Sequence, residues 1–206
     1  MGGSVPVWFI TAASSGFRRS LALEALSRGH KVIASARSLS RIASLKDAGA
    51  DTVVLDVTSP LDELLRVARE ANEKYGAVEE TSPEEDLKAF TTNVLGTLNV
   101  AKAFLPHLRA TLGHRTISNF GSVASWYSGA GHGIYSGTKW AVSGVTEGLH
   151  AELAPLGIFI TVVEPGWYCT ATLSKDVQAQ SEKRIDAYVD GKIGELRKAL
   201  AETDGK

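Results

Sequence analysis

The sequence predicts an α/β fold, a doubly wound, mainly parallel sheet with helices on both faces. Three observations predict it. Strand-like and helix-like segments alternate along the chain, and the strand candidates are short apolar or β-branched runs of the kind that sheets covered on both faces contain. A tight Ser-Ser-Gly turn, Ser14 to Gly16, joins the first strand to the first helix. With 206 residues and 44% hydrophobic side chains, the chain is expected to form one domain, residues 1–206, large enough to bury a core.

The first strand candidate is Val5 to Thr11, with Val7, Trp8, Phe9 and Ile10 as its apolar run. From Phe17 to Arg28, Leu21, Ala22, Ala25 and Leu26 recur at helical spacing, and Gly29 stands where a left-handed residue would end the helix. Lys31 to Ala36 reads as the second strand, Arg41 to Lys46 as a short helix stopping before Gly49, and Thr52 to Val57 as the third strand. Ser59, Pro60 and Asp62 supply an N-cap, a first-turn proline and an acidic first turn for a helix to about Tyr75. Ser82, Pro83 and Glu85 repeat the device for a longer helix to about Leu108. Between those helices, Gly76 to Thr81 is too short and too polar for a buried strand with its two turns, so the rhythm skips a beat. It resumes with a strand from Arg115 to Phe120, a loop rich in Ser and Gly, a helix from about Tyr135 to Leu153 and a strand from Phe159 to Val163, closed by Pro165 and Gly166. Beyond Gln180, Ile185, Tyr188, Ile193, Leu196 and Leu200 predict an amphipathic helix interrupted near Gly191, with no further strand.

Lys and Arg number 22 against 23 Asp and Glu, so the chain lacks the positive excess that nucleic-acid or anionic-membrane surfaces require. No run of 18 apolar residues predicts a membrane span, and Met1 to Pro6 does not read as a signal peptide. The single cysteine, Cys169, cannot form an internal disulfide, which fits a reducing cytoplasm. His30, His107, His114, His132 and His150 contain no i,i+4 pair, and no metal site is expected. His132, three residues before Tyr135, alone stays of interest among them.

Ser14, Ser15 and Gly16 lie where helix N–H groups and the helix dipole seat a phosphate, although the same turn serves equally as a plain strand-to-helix connection. Arg37, after the second strand, offers a cation where a ribose diol would call for a carboxylate; alone it also reads as a solvated surface residue. Tyr135 and Lys139, four apart, present a phenol and an ammonium on one helix face. A phenol ordinarily titrates well above neutrality, and a neighbouring cation favours its ionised form, so Tyr135 could exchange a proton with an alcohol or carbonyl. In isolation, such a pair is more often a packed tyrosine beside a solvated lysine. Ser122, just past the strand ending at Phe120, sits at the edge of the sheet where ligands collect in open α/β folds. Asn93, inside the apolar stretch Phe90 to Val100, suits a helix interior only if its amide bonds something specific. Trp126 and Trp167 follow two strand ends and could line an apolar cleft.

The ordered set Thr11-Ala-Ala-Ser-Ser-Gly16, Asp56-Val57, Asn93-Val-Leu-Gly96, Ser122, Tyr135-Ser-Gly-Thr-Lys139 and Pro165-Gly166 resembles the short-chain dehydrogenase/reductase family, whose fold is Rossmann-type. The similarity runs from about Val7 to Thr170, with the flavour of the retinol, steroid and fungal carbonyl reductase branch. The resemblance implies hydride transfer between NADP(H), with NAD(H) possible, and a small-molecule carbonyl or secondary alcohol. Tyr135 would be the general acid or base, Lys139 would lower its pKa and hold the nicotinamide ribose, Ser122 would orient the substrate oxygen and Asn93 would anchor a water relay. Thr11 and Pro165-Gly166 fall among the cofactor positions; Ser14, Ser15, Gly16 and Phe17 would hold the pyrophosphate, Arg37 the 2′-phosphate, Asp56 and Val57 the adenine, and Thr170 the carboxamide. Family members commonly pair through the helices corresponding to Glu84–Leu108 and Tyr135–Leu153, so a homodimer is expected.

Three departures stand out. Ala12 and Arg18 occupy positions that are glycine in the family, the first where a turn requires positive φ, the second where helix and strand pack closely. The family's fourth strand and Asn-Asn-Ala-Gly turn have no counterpart between Gly76 and Ala77. Unpaired central strand edges would cost about 1 to 3 kcal/mol per buried group, so the sequence is expected to omit residues there and after Lys206. These departures keep two rivals open: a catalytically idle dinucleotide sensor or scaffold, and a non-redox isomerase or cyclase using the same Tyr135 and Lys139.

Overall fold

The computed structural model describes residues 5–55, 74–166 and 179–203. The chain divides into two compact units, residues 1–68 and 69–206.

In the first unit, β1 (Val7–Ile10), β2 (Lys31–Ala36) and β3 (Asp51–Val54) form a parallel sheet in the order β1-β2-β3. Val7 faces Lys31 and Ile33 faces Asp51 in the two ladders. Between the strands run α1 (Gly16–Ser27) and a 3₁₀ turn (Leu39–Ile42) that leads into α2 (Ala43–Asp47). The core joins Ile10, Val32, Ile42 and Leu45 to Ala22 and Ala25 of α1, whose small side chains let the helix approach the sheet closely. The apolar run of β1 was expected to be covered on both faces. Ile10 is buried, but Val7 is 62% exposed, because β1 ends its sheet and, among the described residues, pairs with β2 alone.

In the second unit, α3 (Pro83–Phe90) passes through a single π-helical turn (Thr91–Leu95) into α4 (Gly96–Ala110). The expected N-terminus is built as a capping box: Glu85 N–H donates to Ser82 Oγ at 3.2 Å and Ser82 N–H to Glu85 Oε2 at 2.8 Å. Next come β5 (Thr116–Phe120), a 3₁₀ turn (Val123–Ser125), α5 (Gly133–Leu153) and β6 (Phe159–Val163). β5 and β6 pair in parallel, Thr116 opposite Phe159 and Phe120 opposite Val163, and α5 packs on this sheet.

Two expectations are corrected here. Lys74–Tyr75, expected as the end of a helix, is a short strand, β4, and it pairs in parallel with Ala179–Gln180, β7, in a region where no further strand was expected. Two residues per strand leave no periodic pattern to read, and the partner lies about a hundred residues away. Residues 56–73, which carry the proposed Ser59-Pro60-Asp62 helix start, lie outside the described residues. The C-terminal helix divides as its sequence suggested, into a 3₁₀ turn (Asp186–Tyr188) and α6 (Lys192–Thr203). No helix among the described residues is long and apolar enough to cross a membrane.

Candidate functional site

The first unit carries the residues expected from the sequence to seat a phosphate. After β1 the chain turns through Thr11 and Ala12, and Ala13, fully buried, donates its N–H to Ser35 O at 2.8 Å. Ala12 has φ +49°, the left-handed conformation in which the family places glycine. Ser15 is the extended N-cap of α1, and its hydroxyl makes no capping bond. Gly16 opens the helix at φ +58°, a conformation that costs a side-chain-bearing residue about 1 to 2 kcal/mol. The first turn contains no acidic residue and includes Arg18 and Arg19. A positive helix end with no carboxylate in its first turn has the character that attracts an anion. Ser14 is half-buried, Phe17 is exposed, and Arg37 is exposed just beyond β2. Asp56, Val57 and Thr170, assigned to the cofactor by resemblance, lie outside the described residues, as does Trp167.

The second unit brings the chemical residues together around the end of β5. Ser122 is the extended N-cap of the 3₁₀ turn; its Oγ accepts from Ala124 N–H at 3.2 Å and keeps its own proton for donation. Tyr135 and Lys139 lie one turn apart on α5, with the Lys139 Nζ 5.6 Å from the Tyr135 ring centroid. The same ammonium donates to the Phe120 carbonyl at 3.2 Å, which ties the helix to the strand end two residues before Ser122. Pro165 takes part through its backbone, accepting from Val123 N–H at 2.9 Å, while Gly166 is exposed.

Asn93 sits at the centre of the π-helical turn. Its amide donates to Thr138 Oγ1 at 3.1 Å, and that hydroxyl donates to the Tyr135 carbonyl at 2.7 Å. The specific partner that a polar residue in this stretch requires is therefore Thr138, fully buried between Tyr135 and Lys139 in sequence. A π-turn displaces one residue from the i→i−4 ladder, which is how the amide reaches a neighbouring helix. His132 precedes the first turn of α5, with Nδ1 3.2 Å from the Ala130 carbonyl.

Sequence reasoning missed Thr138, Ser125, Ser143 and Glu164. Ser125 Oγ and Ser143 Oγ each approach the Lys139 carbonyl, at 3.1 and 3.2 Å, and Ser143 Oγ also donates to Glu164 Oε1 at 2.6 Å. The indole N–H of Trp126 donates to the other oxygen of Glu164. Burial alone would raise the Glu164 pKa, but hydrogen bonds from Ser143, Trp126 and Ser125 outweigh it and hold the carboxyl below its ordinary value. The available signal was small hydroxyl residues on the inward face of α5 and a carboxylate directly before Pro165.

A family model described as short chain dehydrogenase matches residues 6–181. The chain belongs to that family. Among curated relatives, this short-chain dehydrogenase family member is 30% identical to "Oxidoreductase BOA17" of Botryotinia fuckeliana, over 97% of this chain and 78% of the relative. Among solved structures, a short-chain dehydrogenase from Streptomyces avermitilis aligns with a TM-score of 0.80 and 32% identity, covering 97% of this chain and 79% of that one. A short-chain dehydrogenase/reductase from Burkholderia phymatum in complex with NAD shares the fold, with a TM-score of 0.76 at 23% identity, covering 97% of this chain and 80% of that one. The Rossmann-like α/β fold expected from the sequence is thus shown, and so is membership of an oxidoreductase family.

Proposed function

We propose that this chain transfers a hydride between NADP(H) and a small-molecule carbonyl or secondary alcohol, with Tyr135 as the general acid or base. The observation that carries the reading is the Lys139 ammonium 5.6 Å from the Tyr135 ring, on a helix whose inner face Asn93 and Thr138 brace. A cation at that distance favours the ionised phenol, so Tyr135 gives its proton to a carbonyl oxygen more readily, and in the reverse direction more of it is present as the phenolate that takes a proton from an alcohol. Ser122, with a hydroxyl proton to donate, orients the same oxygen.

The residues of the first unit suit a dinucleotide. The acid-free N-terminus of α1 would take the pyrophosphate, and Arg37 the 2′-phosphate that distinguishes NADP(H). When bound, the nicotinamide supplies or accepts the hydride. Lys139 would hold its ribose. The left-handed alanine at position 12 favours one rival, an idle dinucleotide sensor, because its methyl group narrows the approach of a phosphate to the turn.

One experiment separates the readings. NADPH is titrated by fluorescence, and its absorbance is then followed with a panel of aldehydes and ketones, for the natural chain and for Tyr135→Phe. Hydride transfer predicts binding to both proteins and a loss of turnover of about 10² to 10⁴-fold in the variant. Equal turnover by the variant would refute the role of Tyr135, and binding without turnover by either protein would favour the sensor. We further propose a homodimer through α3, the π-helical turn, α4 and α5, which leave Leu87, Leu95 and Trp140 exposed; a monomer mass in solution would refute it.

A further inference from the structure

Glu164 stands at the end of β6 and faces two groups of residues at once. On one side are the hydroxyls of Ser125 and Ser143, each with a single proton and each within reach of both the Lys139 carbonyl and the Glu164 carboxylate. On the other is the Trp126 indole, whose N–H can only donate and does so to Glu164. The stem of Glu164 also lies close beside Gly121. A β-carbon there would lie 2.9 Å from Glu164 Cγ, closer than real side chains tolerate, and 3.0 Å from Ser125 Oγ, a tight contact. One residue thereby touches three things: the strand end that receives the Lys139 ammonium, the turn that begins at Ser122, and the edge of the Trp126 indole.

Trp126 is 77% exposed, yet it is not loosely held. Its charge-assisted bond orients the ring while the apolar faces stay open beside the Ser122 turn. An indole fixed at one edge and bare on its faces stacks on flat apolar groups.

We propose that Glu164 is a positioning residue for the carbonyl site and that the indole it holds is a specificity wall, selecting carbonyls or alcohols that carry a flat aromatic substituent. The assignment rests on the hydride-transfer reading, so its test includes a readout that needs no turnover. Quenching of tryptophan fluorescence by acetophenone is measured for the natural chain, Trp126→Phe, Trp126→Ala and Glu164→Gln. In parallel, the kcat/KM ratio for benzaldehyde over butanal is followed with NADPH, and circular dichroism confirms folding.

The natural chain is expected to prefer benzaldehyde. Trp126→Ala should lower that ratio about five- to tenfold, mainly through KM, the size of one lost aromatic contact. Glu164→Gln should lower it in the same direction, and combining it with Trp126→Phe should add little, because one weakens and the other removes the same bond. Quenching attributable to Trp126 should disappear in Trp126→Phe. A folded Glu164→Gln that changes neither the rates nor the ratio would overturn the positioning role, a Trp126→Ala that leaves the ratio unchanged would overturn the aromatic wall, and either would leave hydride transfer standing. Quenching of Trp126 with no consumption of NADPH would sustain the aromatic wall and remove the hydride reading instead. No quenching and no turnover would remove both.

Discussion

Ala12 holds a left-handed backbone that costs an L-residue about 1 to 2 kcal/mol. Replacing it with glycine relieves that strain but returns some conformational freedom to the unfolded chain, worth about 0.4 to 1 kcal/mol. The expected net effect of Ala12→Gly is a gain of about 0.5 to 1 kcal/mol, read as a higher urea midpoint with an unchanged slope. A lower midpoint would mean that the methyl group makes packing contacts that outweigh its strain. This position was legible in the sequence because the turn is local: an apolar strand, two serines and a glycine fix where the chain must reverse. Glu164 was not, since its partners Trp126, Ser125 and Ser143 come from other elements and none lies within 20 residues of it in the chain.

At the scale of elements, legibility follows the range of the interactions that define each one. β2 and β6 run over the residues their apolar patterns predicted, and α3 begins at the predicted capping box, because side-chain alternation and caps are read within a few residues. The π-turn at Thr91–Leu95 escaped because it depends on a partner helix: Asn93 reaches Thr138, 45 residues on. Thr138→Val, close to Thr in shape, deletes both the acceptor of the Asn93 amide and the donor to the Tyr135 carbonyl. A polar group left without a partner there costs about 1 to 3 kcal/mol, and the turn carrying Tyr135 and Lys139 loses its brace. We expect a thermal midpoint lower by several degrees and a kcat reduced more than the affinity for NADPH. A variant with full stability and full turnover would show that the Asn93–Thr138 bond is incidental.

At the scale of the whole molecule, the longest-range side-chain tie among the described residues of the second unit joins a buried carboxylate to a partly buried arginine. Glu80, 0% exposed, accepts from Ala77 N–H at 2.9 Å, from Ile185 N–H at 3.1 Å and from Arg197 of α6 at 2.5 Å. The sequence offered only an acidic pair, Glu79-Glu80, in a stretch too polar for a buried strand; burial of the second carboxylate depends on Arg197, 117 residues away. Burial by itself would raise the Glu80 pKa. The bonds from Ala77, Ile185 and Arg197, with the Arg197 charge, outweigh it and hold the carboxyl below its ordinary value. A depressed carboxyl binds fewer protons folded than unfolded, so stability rises with pH across its titration. The contribution of Glu80 is therefore present above the ordinary carboxylate range and is lost as pH falls through its lower folded value. Urea midpoints between pH 7 and pH 3 should fall for the natural chain. Glu80→Gln should be less stable at pH 7 by about 1 to 3 kcal/mol, because the partly buried Arg197 loses its counterion, and its midpoint should depend less on pH. If the variant keeps the full acid dependence, other carboxylates carry it, and the ion pair anchors α6 without governing stability in acid.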